Sequence, residues 1–485
     1  MTRWKCVTVS AAAVLVGLLG ALSALADALP FLPAGDARLR HFVEIEADNG
    51  AIALGTTWPI STLDLPPAER ATLHSSLQPG TSADAGWFVS GAVHPDPIRT
   101  FDDTPRDKAE IGLWAGWAAG NYAGGVIRLS YVLQPTDGMH YRFDDTYVAW
   151  RLGNWWVSAG QQQRWWGPGW DGSLILSNNA RPMPSISLDR ASSEPFATKW
   201  LSWIGPWRLT TFMGEEQHVS AKFPHPLFWG LRVTAKPLRD LEIGLSRTAQ
   251  WCYVHVCRLH TFEDVLLGKD NAGSNIAVSQ QPGNQELDWD LRWHLGTWPS
   301  AVYWQIQGET ADGRYPLFPR PRQTTNLIGA ELWSRGSIAG SWRTFVEWTD
   351  TTCGELSTAK SDTPTPNCAY SNNLITFGYY YRDRVIGHSL QGDGHLLTLG
   401  GLYIDAHDRT WDLRLRKGTV NRFSLSDVNT LSPVKASLWS FEGKVDSEWR
   451  GLVISAGIGA ERINPIGGSA ATTGNLFLSI SSPWR

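Results

Sequence analysis

The stretch from Gln161 to Ile175, QQQRWWGPGWDGSLI, gathers the side chains of this chain best suited to bind a ligand. Trp165, Trp166 and Trp170 stand beside Arg164 and Asp171, around the turn-forming Gly167-Pro168-Gly169. Flat aromatic rings take the C–H faces of sugars, while carboxylate and guanidinium groups take the hydroxyls. Arg181 follows in ARPMPS, and Arg320 and Arg322 in PLFPRPR present two guanidinium groups suited to an acidic glycan. The same run admits a second reading, a Trp-rich turn packed inside a barrel as a plug. Gly-Pro-Gly supplies the tight backbone that a buried loop needs. Aromatic geometry alone does not choose, so these eight residues stand as glycan-binding or plug candidates.

Motifs for catalysis are nearly absent. GHSLQG, Gly387 to Gly392, resembles a nucleophile elbow, but Gln391 stands where the second glycine should be. The chain shows no phosphate-cradling loop, no H-E-x-x-H pair and no repeat of fixed period. It reads as a protein without enzymatic activity, with neither cofactor nor metal.

Four cysteines follow the first 26 residues: Cys252, Cys257, Cys353 and Cys368. An even count in an exported chain favours disulfides. Three connectivities are possible, and the two local pairs, Cys252–Cys257 and Cys353–Cys368, each fall inside one long loop. CYVHVCRLH, Cys252 to His260, offers zinc ligands as a rival, but its spacing is too tight for an easy tetrahedron.

These residues need elements to position them. Residues 1–26 are an address: Arg3 and Lys5, a short apolar core, and the A-x-A site Ala24-Leu25-Ala26. Their loss takes the formal charge from −4 to about −6 by removing Arg3 and Lys5. A mildly acidic chain without basic runs argues against nucleic acid as a partner. The mean hydropathy is −0.22, and no later apolar run is long enough for a membrane helix.

Alternation selects a transmembrane barrel. Leu287, Trp289, Leu291, Trp293 and Leu295 share one face, and Asp288, Asp290, Arg292 and His294 the other. Trp411, Leu413 and Leu415 alternate with Asp412, Arg414 and Arg416, and Trp342, Val346 and Trp348 with Arg343 and Glu347. A polar face charged with both signs, opposite a Trp-bearing apolar face, is the pattern of lipid-facing and lumen-facing residues. Short turns at Gly153-Asn154, Gly205-Pro206, 238–240, 296–300, 336–340 and 406–410 alternate with long loops at 164–193, 251–285, 312–325, 350–394 and 421–434. From Gly86 to the end there are about 18 strand candidates, so the fold class is an all-β antiparallel transmembrane barrel with both termini periplasmic. Residues 27–85 form a small periplasmic helical region that caps or plugs the lower mouth. A helix is expected over Asp36 to Asp48 with Leu39, Phe42 and Ile45 on one face, and a second from Pro66-Pro67 to Leu77. Residues 50–60 between them look extended.

On these residues the chain resembles the Wzi capsule-assembly family. The marks are GQQQRWWGPGWDGSLI (Gly160 to Ile175), ARPMPS (Ala180 to Ser185), DRA (Asp189 to Ala191) and WLSWIGPW (Trp200 to Trp207), with weaker GTTWPIS and QQPGNQ. The resemblance implies an outer-membrane barrel of 18 strands with a periplasmic helical region, acting as a surface lectin for capsular polysaccharide. Its implied partners are capsular or exopolysaccharide and outer-membrane lipid, with the barrel assembly machinery during insertion. The rival class is a porin or sugar channel, because a barrel of this size is wide enough for small solutes if nothing plugs it.

Overall fold

The structure, a computed structural model, describes residues 29–66, 83–217, 225–252, 262–263, 266, 283–310, 321–334, 340–355, 369–370, 378–424 and 429–482. Eighteen antiparallel strands close into one barrel. They are β1 (Ala83–Ala92), β2 (Ala109–Ala119), β3 (Ala123–Leu133), the interrupted β4 (Tyr141–Arg142 and Tyr147–Leu152), β5 (Trp155–Gly160) and β6 (Ser185–Arg190). Next come β7 (Trp207–Glu215), β8 (Leu227–Leu238), β9 (Leu241–Trp251), β10 (Gly283–His294), β11 (Ser300–Thr310) and β12 (Pro321–Trp333). The last are β13 (Trp342–Glu355), β14 (His395–Ile404), β15 (Thr410–Val420), β16 (Ala436–Trp449), β17 (Leu452–Pro465) and β18 (Ala471–Ser481). Every neighbour in the chain is a neighbour in the sheet, and β18 closes on β1 with Phe477 opposite Ala92.

The two faces divide as the alternation requires. On β15 Trp411, Leu413 and Leu415 are exposed, while Asp412, Arg414 and Arg416 are buried. Trp342, Val346 and Trp348 of β13 point outward, and Arg343 and Glu347 inward. Leu287 departs from its row: it is fully buried, in a stretch where Trp229, Ala249 and Trp251 pack with Phe262 and Leu266. Ala83 and Ser481 begin and end the barrel at the same, lower, end, where most connections are tight, as at Gly153-Asn154 and 405–409.

The connections differ from the sequence expectation in several places. Residues 164–193 are not one loop, because β6 runs back down within them and pairs with both β5 and β7. Gly205-Pro206 is therefore not a tight turn. It ends a lower connection, 191–206, that carries a short 3-10 helix, Ser202–Ile204, and exposes Trp200 and Trp203. Those rings extend the girdle of Trp293, Trp298 and Trp449 at the lower rim. Strands also eat into the expected loops: β13 continues to Glu355, and β12 starts at Pro321, so Arg322 is a strand residue.

The N-terminal segment lies inside the wall at the lower mouth, where Arg38 reaches Asp408 of the lower turn 405–409 and His41 reaches Ser341. Helix α1 (Ala37–Asn49) starts where the Asp36 carboxylate accepts from the Leu39 N–H at 2.9 Å, and ends at Gly50 in the left-handed conformation. Its buried face is not the expected Leu39, Phe42 and Ile45. Phe42 and Ile45 are half-buried, and the fully buried residues include Leu39, Val43, Arg40, His41, Glu44 and Asp48. The helix buries two rows: Leu39, Val43 and Ala47 pack in an apolar cluster with Trp58, Ile60, Phe101 and Trp165, while Arg40, Glu44 and Asp48 meet polar and charged groups. The extended run after it pairs twice: Phe31–Leu32 with Ile60–Ser61, and Thr57–Trp58 with Trp165–Trp166. Of the second expected helix only Pro66 is described; the rest lies outside the described residues.

Candidate functional site

The upper connection 161–184 turns inward after Gly160 and fills the lumen together with α1 and residues 50–62. Trp165, Trp166, Trp170 and Asp171 are all at most 1% exposed, and Arg164 is buried. Two other upper segments descend beside them: residues 98–102 with Phe101, and 385–394 with His388.

Polar groups of the wall hold this plug atom by atom. The Glu347 carboxylate accepts from the backbone N–H of Trp170 at 2.8 Å and of Gly172 at 2.9 Å, with Asp171 N at 3.4 Å and Tyr303 Oη at 3.0 Å. The Trp170 indole N–H donates to Glu331 at 2.9 Å. Asp171 accepts from Arg416 at 2.8–3.0 Å and from Thr398 at 2.7 Å, and Arg416 also reaches Glu442 at 3.0 Å. Burial alone would raise the Asp171 carboxyl, but the Arg416 guanidinium overrides it and holds the group below the usual carboxylate range. Leu174 N–H donates to Gln305, whose amide donates to the Trp166 carbonyl at 3.1 Å.

Arg40 joins the helix to the tryptophan loop. It donates to the carbonyls of Pro168 at 2.6 Å and Gly169 at 2.7 Å, pairs with Glu44 at 2.8 Å, and lies over Phe101 and Trp170 at 4.6 and 4.3 Å. Glu44 in turn receives Arg343, which also bonds Glu331, and Asp48 receives Arg292 at 2.6 Å. A guanidinium is buried here only because carboxylates, carbonyls and ring faces surround it. Residues 55–59 are held likewise: Glu242 accepts from Gly55 and Thr56 N–H, and Arg208 donates to the Thr57 and Pro59 carbonyls.

The glycines have a steric reason. A Cβ on Gly172 would lie 2.0 Å from His388 Nε2, and Gly167 sits at φ +137° against Gln305. Two buried histidines face this assembly. His388 Nδ1 accepts from Leu390 N–H at 3.1 Å, and burial holds its imidazole down at about 4. His41 Nδ1 accepts from Arg343 Nε at 3.1 Å, and burial with the Arg343 charge holds it down at about 2. A ring nitrogen that accepts from Arg or a backbone N–H carries no proton, so both rings are neutral. Ser389 of the GHSLQG run is buried and bonded to Arg99 and Asn179, not to His388.

The lumen is not filled on every side. A cavity of about 530 Å³ lies between the plug and the wall of β1–β3 and β16–β18, bordered by Glu110, Arg128, Arg181, Lys444, Asp446 and Ser455. Arg181 bridges Asp107 and Asp144 across it, and Lys444 bridges Asp102 and Asp446. The structure thus brings six of the eight candidates to the lumen: five into the plug, and Arg181 to the cavity. Arg320 lies outside the described residues. Cys252 and Cys353 are both disulfide-bonded, whereas Cys257, Cys368 and most of CYVHVCRLH lie outside the described residues. Sequence reasoning missed Arg40, Phe101, Glu331 and Glu347. Only inward alternation on β12 and β13 signalled the last two.

Residues 102–465 match the family model of the capsule assembly protein Wzi. The chain belongs to the Wzi capsule-assembly family. An uncharacterised 55.8 kDa protein in the cps region of Klebsiella pneumoniae is 29% identical over 440 residues, covering 84% of this chain and 81% of that protein. The solved Wzi of Escherichia coli, described as a carbohydrate-binding β-barrel outer-membrane protein involved in group 1 capsule assembly, superposes with a TM-score of 0.75 at 22% identity. That match covers 93% of this chain and 99% of the solved one. The shared fold includes the barrel, and the matched family segment includes the whole WWGPG run.

Proposed function

We propose that this Wzi-family protein sits in the outer membrane and holds capsular or exopolysaccharide at the cell surface without altering it chemically. The observation that carries the reading against a porin is the lumen itself, crossed by a plug bonded to β7–β15. In this reading the WWGPG run with Arg164, Trp165, Trp166, Trp170 and Asp171 is the plug, and Arg181 lines its hydrated edge. Polymer is met at the outer rim by the external loops, with Arg320 and, at the upper end of β12, Arg322 contacting acidic sugars through charge-assisted bonds. Residues 1–26 are removed on export, and the loops are stapled by Cys252–Cys257 and Cys353–Cys368. Outer-membrane lipid and the barrel assembly machinery are the further partners. The test is deletion of the gene: synthesis and export of polymer stay intact while polymer shifts from cell-bound to released. A strain that keeps its polymer but loses uptake of small solutes returns the porin.

A further inference from the structure

The barrel wall is uneven in height. β5 and β6 have six residues each, whereas β7 has nine and β13, β16 and β17 have fourteen. A tilted strand needs about 9–11 residues to cross the hydrocarbon layer. Six residues at about 3.3 Å each, tilted by about 45°, cover only about 14 Å of a band about 25 Å tall. The shortfall has a cause in the plug. The chain leaves the wall at Gly160 to form the tryptophan loop and returns at Pro184. Above the level where Gly160 pairs with both Tyr147 and Ser185, the wall has a notch.

The notch is built to face lipid. It forms a groove of about 470 Å³ on the outer surface, lined by Phe143, Pro184, Ile186, Met213, Glu215 and Leu227 with neighbouring backbone. Ile186 is 64% and Phe143 47% exposed. The backbone around it is bonded: Gln161 N–H to the Thr146 carbonyl at 2.7 Å, Asp145 N–H to that of Gln161 at 2.8 Å, and Glu215 N–H to that of Pro184 at 3.2 Å. Open strand edges do not survive in hydrocarbon, and these are closed. Among the described lining residues Glu215 alone is charged, and it contacts His225 at 3.0 Å. Little in such a groove would hold water. It also adjoins outward-facing residues of the wall at the upper ends of the strands, which, on the outer-membrane reading proposed above, is the outer leaflet.

We infer that the notch seats one acyl chain of an outer-leaflet lipid. Bilayer lipid against so short a wall must thin or leave a void, and a chain lying in the groove relieves both. The test is native mass spectrometry of the full chain in detergent with added lipid A. The wild type should retain one lipid through detergent exchange. Ile186→Trp with Met213→Trp fills the groove and should lower retention by at least ~10-fold. Leu413→Trp, on the plain wall, should leave it unchanged. Both substitutions lie on the outer face, so heat-modifiable migration should confirm a folded barrel, and polysaccharide retention should stay at the wild-type level. That last readout separates this inference from the proposed function. No retained lipid in the wild type, or equal retention in the filled variant, overturns it.

Discussion

From β7 to β15 the wall touches the plug through long polar side chains, each bonded to a named group of α1, residues 55–59 or the tryptophan loop. From β16 round to β3 Ser90, Ser455, Ser479 and Ser481 stand among Glu110, Arg128 and Lys444; Lys444 reaches Asp102, but Glu110 bonds Ser130 and Arg128 bonds Asp145 within the wall, and a cavity remains. Both sides are built from the same alternation of lipid-facing and lumen-facing residues. The difference is reach: Glu347, Arg343 and Arg416 span the gap and a serine does not. The plug is thus tied to one side of the wall, and on the other a cavity remains that the Arg181 and Lys444 bridges cross.

The sharpest way to break this asymmetry is to remove one acceptor on the bonded side. Glu347→Ala strands the N–H groups of Trp170 and Gly172 and the Tyr303 hydroxyl in a buried site. It should cost on the order of 3–5 kcal/mol, read as a large fall in the temperature of heat-modifiable migration, and should open the lumen to ions.

Acid should act next. Burial lowers the folded-state pKa of His41 and His388 below the ordinary histidine value of 6.5. Their contribution is therefore present above pH 6.5 and lost as pH falls, at about 1.4 kcal/mol per histidine per pH unit. Unfolding temperatures measured from pH 7.5 to 5 should fall, and His388→Gln should flatten the lower part of that curve. Gly172→Ala drives a methyl into His388 and should cost about 1–3 kcal/mol, measured by the same migration assay. On the cavity side, Arg181→Ala leaves Asp107 and Asp144 facing a cavity that water can enter, so the loss should be smaller, about 1–2 kcal/mol. If Arg181→Ala destabilises more than Glu347→Ala, the two sides are not different in the way described.

Much of this was legible in the sequence, and the rest was hidden for physical reasons. Period two on β10 and β15 marks a wall with oil on one side and charge on the other, and both strands formed where it placed them. The WWGPG run stood out for its density of tryptophan beside Arg164 and Asp171, and its three rings are buried in the apolar clusters of the plug. The face of α1 was misread because the apolar row runs from Leu39 through Val43 and Ala47, and beside it Arg40, Glu44 and Asp48 are buried against guanidinium and carboxylate groups that no local pattern shows. β6 was concealed in a supposed loop because it is short and its inward residues, Ser185, Ser187 and Asp189, look like loop residues. Partners such as Arg40 with Pro168 lie 128 residues apart, and no local pattern records such a contact.

The central claim is that this barrel is closed, and planar-bilayer recording of the wild-type protein tests it most directly. The account predicts a silent baseline at neutral pH, with ohmic steps emerging in Glu347→Ala. Large, stable ohmic channels in the wild type, unchanged by Glu347→Ala, would contradict it.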